Sequence, residues 1–194
     1  MNKCKFSGYY SNKVLDFATQ FIHSLNLHEA SYISVHIRFE HLFMYHRADP
    51  EKFNKCCMKE LKILLGAVHQ EFNVSSNRTL VVTDYGAFGS DTCRYDGYYA
   101  KHSLCVENAT KLLSEINITS AKFDPLTFGA PYNSGFVSLV EAASLLSGEA
   151  LITLGGGSYQ GVLAGHFVEW HSGKSKSDYV SKRLYGLQCE KVCK

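Results

Sequence analysis

A chain of 194 residues, 45% hydrophobic and 20% charged, is long enough for one domain with a buried core and has ordinary globular composition. Its formal net charge of +2 leaves no global basic field of the kind that draws nucleic acid. No apolar run reaches the roughly 18 residues of a membrane span, and the polar start MNKCKFSGYYSNK has no apolar leader core.

In chain order, Asn12 to Leu27 reads as a first helix, with Val14, Leu15, Phe17, Ala18, Phe21, Ile22 and Leu25 at helical spacing. The β-branched run Tyr32 to Phe39 reads as a buried strand. Asp49-Pro50 starts a helix, with Asp as N-cap and Pro at the first helical position. Phe53, Cys57, Leu61, Leu64, Leu65, Val68 and Phe72 then form one apolar face. Leu80 to Thr83 is a short strand ending at Asp84, followed by a Gly- and Tyr-rich loop to about His102. Ser103 to Ile116 is the next helix, and a weak strand falls around Ala121 to Phe123. Phe136 to Leu146 is a buried helix stopped by Gly148. Glu149 to Leu154 is a strand that runs into Gly155-Gly156-Gly157-Ser158, and Tyr159 to His166 is helical.

The order α-β-α-β-α-β-α-β-α predicts a single α/β domain over 1–194, a Rossmann-like parallel sheet flanked by helices. The core is expected over about 30–170. The mildly basic segment 172–194 reads as a solvated C-terminal tail. Ligands of such sheets bind at the carboxyl ends of the strands. That rule singles out Arg38 to Glu40, Thr83-Asp84 and Gly155 to Gln160.

Each of these places has two readings. The glycine turn lets the backbone approach an anion, and Ser158 then caps a helix whose N–H groups favour phosphate; the alternative is a tight turn with no ligand. His36, Arg38 and Glu40 alternate onto one strand face. They reach over the sheet edge to a ligand, Arg offering phosphate its planar fork, or Arg38 pairs internally with Glu40 or Asp84. Glu141 is the only charge in its apolar helix. It meets the N–H groups of a guanine base, or it faces solvent or a lysine. Histidines 41, 46, 69, 102, 166 and 171 show no ligand spacing, no CxxC pair suggests zinc, and no metal site is expected. No GxSxG or HExxH motif is present, so the reading as an unrelated α/β hydrolase or phosphatase lacks a nucleophile motif.

Seven cysteines are many for a cytosolic chain of this size. Cys93 and Cys105 flank one loop and are candidates for a bridge. Cys189 and Cys193 pair with each other or with Cys4, and of the adjacent Cys56 and Cys57 at most one faces the core squarely. Asn-x-Ser/Thr sequons occur at Asn73, Asn77, Asn108 and Asn117. Four of nine asparagines lie in sequons, where Ser/Thr frequency predicts about one. Sequons and cysteines together point to a piece of a longer secretory-pathway protein. The expected location is the endoplasmic reticulum or Golgi lumen, or the exterior.

The strand Val35-His36-Ile37-Arg38-Phe39-Glu40 resembles the HxR motif of GDP-fucose protein O-fucosyltransferases and their plant relatives. Val82-Thr83-Asp84 resembles that family's strand ending in Thr/Ser-Asp. Leu139 to Tyr159 resembles its late segment: a helix with an acidic residue, a hydrophobic strand, a small-residue turn, then Ser and an aromatic. The match spans about residues 30–170. It departs at Leu42, where many members carry Asp, and at Tyr159, where they carry Phe.

The resemblance implies the C-terminal, donor-binding domain of a GT-B glycosyltransferase that is inverting and needs no metal or other cofactor. GDP-fucose is the donor, and a protein or glycan is the acceptor. Arg38 would grip the β-phosphate and stabilise the leaving GDP, as the catalytic residue. His36 and Glu141 would contact guanine or ribose. Gly157, Ser158, Tyr159 and Gln160 would hold the phosphates, and Asp84 completes the donor site. The family's N-terminal half has no counterpart in this sequence, so the expectation is an incomplete catalytic unit. The alternative is a non-catalytic GDP-sugar-binding or secreted interaction module.

Overall fold

The computed structural model describes residues 10–27, 31–39, 42, 50–83, 110–155, 158–171 and 183–193. Four strands carry the fold: β1 (Ile33–Ile37), β2 (Thr79–Thr83), β3 (Ala150–Leu154) and β4 (Leu184–Leu187). All pair in parallel, in spatial order β2-β1-β3-β4. Helix α1 (Asn12–Ser24) precedes β1, α2 (Pro50–Glu71) joins β1 to β2, and α3 (Ser134–Leu146) leads into β3. Helix α4 (Ser158–Trp170) joins β3 to β4, and the single turn α5 (Cys189–Val192) follows. The α/β architecture expected from the alternation is therefore present.

Strand alternation sorts the core into two layers. Val35, Ile37, Val81, Ile152 and Leu154 face α2 and α5, where Phe53, Leu61, Leu65 and Val68 cover them. Leu80, Val82 and Leu151 face α1, α3 and α4, under Val14, Phe21, Val140, Leu145, Leu163 and Phe167. With both faces covered, β1 is buried at all five positions, as a central parallel strand must be. The helix starts follow their caps: Ser11 Oγ accepts from Val14 N–H at 3.3 Å, and Asn133 Oδ1 from Phe136 N–H at 3.1 Å. Gly148, after α3, passes so close to β1 that a Cβ there would collide with the Ser34 hydroxyl.

Three expectations are corrected. The segment 172–194 is not simply a solvated tail. Its described part supplies β4, which pairs with β3 from Leu151–Leu184 to Leu154–Leu187. The weak strand around Ala121 to Phe123 does not form. Ala121 N–H donates to the Val81 carbonyl at 2.7 Å, but no ladder continues. Neither Cys189 with Cys193 nor either with Cys4 is the pairing found. Cys56 bridges to Cys193 and Cys57 to Cys189, with Cα–Cα distances of 5.8 and 5.3 Å. Cys4, Cys93 and Cys105 lie outside the described residues. Of the helix expected over Ser103 to Ile116, residues 110–115 are described and are helical.

Candidate functional site

The connections define where a ligand fits. From β1 the chain crosses by α2 to β2 on one side. From β3 it crosses by α4 to β4 on the other side, and α2 and α4 cover opposite faces. The strand order therefore reverses between β1 and β3, and in an open α/β sheet the ligand crevice lies outside the carboxyl ends of the strands at such a switch point. Arg38 leaves β1 there. The glycine turn leaves β3 beside it.

The two tips touch through their backbones. Arg38 N–H donates to the Leu154 carbonyl at 2.8 Å, extending the β1–β3 ladder by one bond. Gly155 has φ +107°, a conformation that L side chains rarely adopt. A Cβ on Gly155 would lie 2.5 Å from the Arg38 carbonyl oxygen. Glycine is thus required at this position by backbone geometry and by the neighbouring strand. The Arg38 side chain is half-buried at the rim. Ser158 opens α4, whose N-terminus faces the same end of the sheet.

His36 is inside rather than over the edge. Its side chain is only 4% exposed, on the α3–α4 face of β1. The Gln160 amide donates to His36 Nδ1 at 3.4 Å and to the Leu154 carbonyl. Because a carbonyl only accepts, the Gln160 nitrogen must face Leu154. His36 Nδ1 is then the acceptor and its ring proton is on Nε2. The Tyr159 ring lies over His36 with centroids 5.2 Å apart. His36 and Gln160 therefore brace β1 against the start of α4, with the Tyr159 ring packed beside His36.

Burial, helped by the Arg38 charge, lowers the His36 pKa to about 4. An unfolded histidine binds its proton near 6.5, so the unfolded state holds more protons between about pH 6.5 and 4. Stability therefore falls as pH drops through that window. His36→Asn keeps an acceptor for Gln160 and removes the titration. Unfolding free energies from urea titration at pH 7 and pH 4.5 should lie closer together in His36→Asn than in the parent, by about 2–3 kcal/mol. An unchanged gap would show that His36 titrates normally.

Glu141 has met a donor, though not a lysine ammonium. Its Oε1 accepts from Phe123 N–H at 3.2 Å, in a half-buried position on α3. Burial raises its pKa to about 7, against the opposing effects of the Phe123 N–H and the Lys122 charge. Burial and the fields of Glu141 and Tyr10 together push the Tyr159 phenol up. Glu141, Tyr159 and Tyr10 thus share one neighbourhood beneath the crevice. Tyr10 also meets His166 Nδ1 through its hydroxyl at 3.2 Å, and its ring lies 6.1 Å from Trp170. Nothing in the sequence marks Tyr10, a lone tyrosine ahead of the first helix.

Glu40, Asp84 and Gly157 lie outside the described residues, and with them the ion pairs considered for Arg38. Among the described residues no group of three His, Cys, Asp or Glu side chains is placed to hold a metal, and no helix is long and apolar enough to cross a membrane. His69 and His171 have structural partners: His69 meets the Val74 carbonyl and Thr79 Oγ1, and His171 the Leu146 carbonyl. No family model matches the chain, and no curated protein or solved structure matches it significantly.

Proposed function

We propose that this chain is the donor-nucleotide-binding part of a GDP-fucose-dependent fucosyltransferase. In this reading it takes part in transfer of fucose to a protein or glycan acceptor, by an inverting, metal-independent displacement. The observation that carries the reading is the meeting of Arg38 and the Gly155 turn at the β1–β3 switch point. A diphosphate there would have a guanidinium on one side and bare backbone plus a helix N-terminus on the other.

Each residue then has a task. Arg38 neutralises the charge that builds on the β-phosphate as the glycosidic bond breaks, the work of a fixed preorganised cation. Gly157 and Ser158 offer backbone N–H groups to the phosphates. Glu141 would accept from the N–H groups of a guanine base when ionised, and Asp84, which follows β2, is assigned to the donor site by the resemblance alone. His36, Tyr159 and Gln160 hold the β1 tip and the α4 start at a fixed separation. The two disulfides favour an oxidising compartment, which suits a lumenal or secreted chain.

The test is thermal unfolding against a nucleotide panel. GDP should raise the midpoint more than UDP or ADP at equal concentration, and GDP-fucose should do so at least as well. Equal shifts for all three diphosphates would remove the guanine assignment; no shift at all would remove the nucleotide site. Release of GDP from GDP-fucose separates a transferase part, which should show slow hydrolysis, from a module that only binds.

A further inference from the structure

We infer that the chain is N-glycosylated at Asn117 and at one of the two asparagines of the Asn73–Asn77 loop. This does not rest on the nucleotide proposal. It starts from the excess of sequons over chance and adds what the fold does with them. Asn73, Asn77 and Asn117 are all exposed, although Val74 and Ile116, next in sequence to Asn73 and Asn117, are buried in the core.

Asn73 and Asn117 end their helices in the left-handed region, with φ 51° and 57°. Each is followed by a residue whose N–H reaches back five positions, Val74 to the His69 carbonyl and Ile118 to the Leu113 carbonyl. Helix capping alone explains an asparagine at these positions. It does not explain the hydroxyl residue two positions on. Asn26 shows the contrast: it closes α1 with φ 56° in the same hydrogen-bond pattern, and His28 stands two residues later, so no sequon forms. Thr119 is exposed, and Ser75 turns its hydroxyl to Asn77 Oδ1 at 2.7 Å, on the surface. Thr79 has a structural partner in His69, so Asn77 is the sequon with the weaker claim on its own.

Placement favours modification. Asn73 and Asn77 lie between α2 and the first residue of β2, at the amino ends of the strands. That end is opposite the β1–β3 crevice, so an oligosaccharide there leaves the candidate site open. Asn73 and Asn77 are only four residues apart, with the Ser75 hydroxyl between them donating to Asn77 Oδ1, so a branched glycan on one would crowd the other. The two disulfides independently favour the oxidising compartment in which this modification is made. In the step itself the asparagine amide nitrogen bonds to C1 of a polyisoprenyl-diphosphate-linked oligosaccharide. The C1–O phosphate bond breaks, the lipid diphosphate leaves with the electron pair, and the amide loses one proton.

The experiment is peptide mapping of the chain isolated from the cells that make it, deglycosylated by an amidase in H₂¹⁸O. Conversion of Asn to ¹⁸O-labelled Asp is expected at position 117 and at 73 or 77, with a matching loss of mass from the intact protein. Unmodified asparagine at all three positions would overturn the inference. Label at 73 and 77 in the same molecule would overturn the single-occupancy part. Asn117→Gln should remove one glycan-sized step of mass and leave the loop peptide labelled, which separates the two sites.

Discussion

Arg38→Ala is expected to weaken GDP binding by at least about 100-fold while the protein stays folded. A guanidinium donating two charge-assisted hydrogen bonds to a phosphate contributes roughly 1.5–3 kcal/mol per bond. Losing both is worth two decades of affinity or more, at about 1.4 kcal/mol per decade. Two backbone bonds that tie Arg38 into the fold are untouched by the substitution. Its N–H bonds the Leu154 carbonyl and its carbonyl accepts from Leu42 N–H, and neither depends on the side chain. Arg38→Lys keeps the charge without the fork and should fall between the two. Calorimetric titration with GDP reads the affinity, and urea unfolding of the same samples reads the fold. Near-normal GDP affinity in Arg38→Ala would sink the phosphate assignment. A second readout is built in, since the Arg38 charge helps depress His36. The His36 pKa should therefore rise toward its ordinary value in Arg38→Ala, whatever binds in the crevice.

Most of the layered fold is legible in the residues because β1, β2 and β3 are apolar and covered on both faces. A continuous β-branched run has few other homes. The strand that escapes detection is β4, and the reason is local. Leu184-Tyr185-Gly186-Leu187 is four residues long, contains a glycine and lies at the sheet edge with no fully buried side chain. The converse error is Ala121 to Phe123, where Lys122 is exposed and only one ladder bond forms.

The site is legible as a place and less so as a set of roles. That Arg38 and the glycine turn share one end of the sheet follows from strand polarity. That His36 points inward does not, because alternation gives two faces without saying which helix covers each. The bracing role of Gln160 and the approach of Tyr10 both depend on contacts between elements more than a hundred residues apart in sequence. The cysteines fail for a similar reason. Cys56 and Cys57 diverge by about 100° around α2, which looks like one inward and one outward side chain. Their partners, however, are spaced i, i+4 on one helical turn lying across α2, and that turn is wide enough to meet both.

Those two bridges carry the second large effect: removing both should cost about 5 kcal/mol or more, whereas removing either alone should cost about 2 kcal/mol. The asymmetry comes from loop closure. Cys57–Cys189 spans 132 residues and Cys56–Cys193 spans 137. The first bridge to form withdraws the entropy of that long loop from the unfolded chain. Once it is in place, the second closes only a ring of a few residues. Cys57→Ala with Cys189→Ala, Cys56→Ala with Cys193→Ala, and all four together make the series. Urea midpoints should show two small losses and one larger than their sum, large against a typical stability of about 5–15 kcal/mol. Reduction of the parent by dithiothreitol should reproduce the fourfold variant. Strict additivity, or a reduced protein as stable as the oxidised one, would contradict the shared-loop account. The loss should also reach the crevice. The bridges tie α5 to α2, α5 directly follows β4, and among the described residues β4 is the only strand beyond β3 in the sheet. Without β4, β3 becomes a free edge, and the turn at Gly155 loses the rigidity that positions it against Arg38. GDP-induced stabilisation should therefore shrink under reduction even at a temperature where most of the chain is still folded.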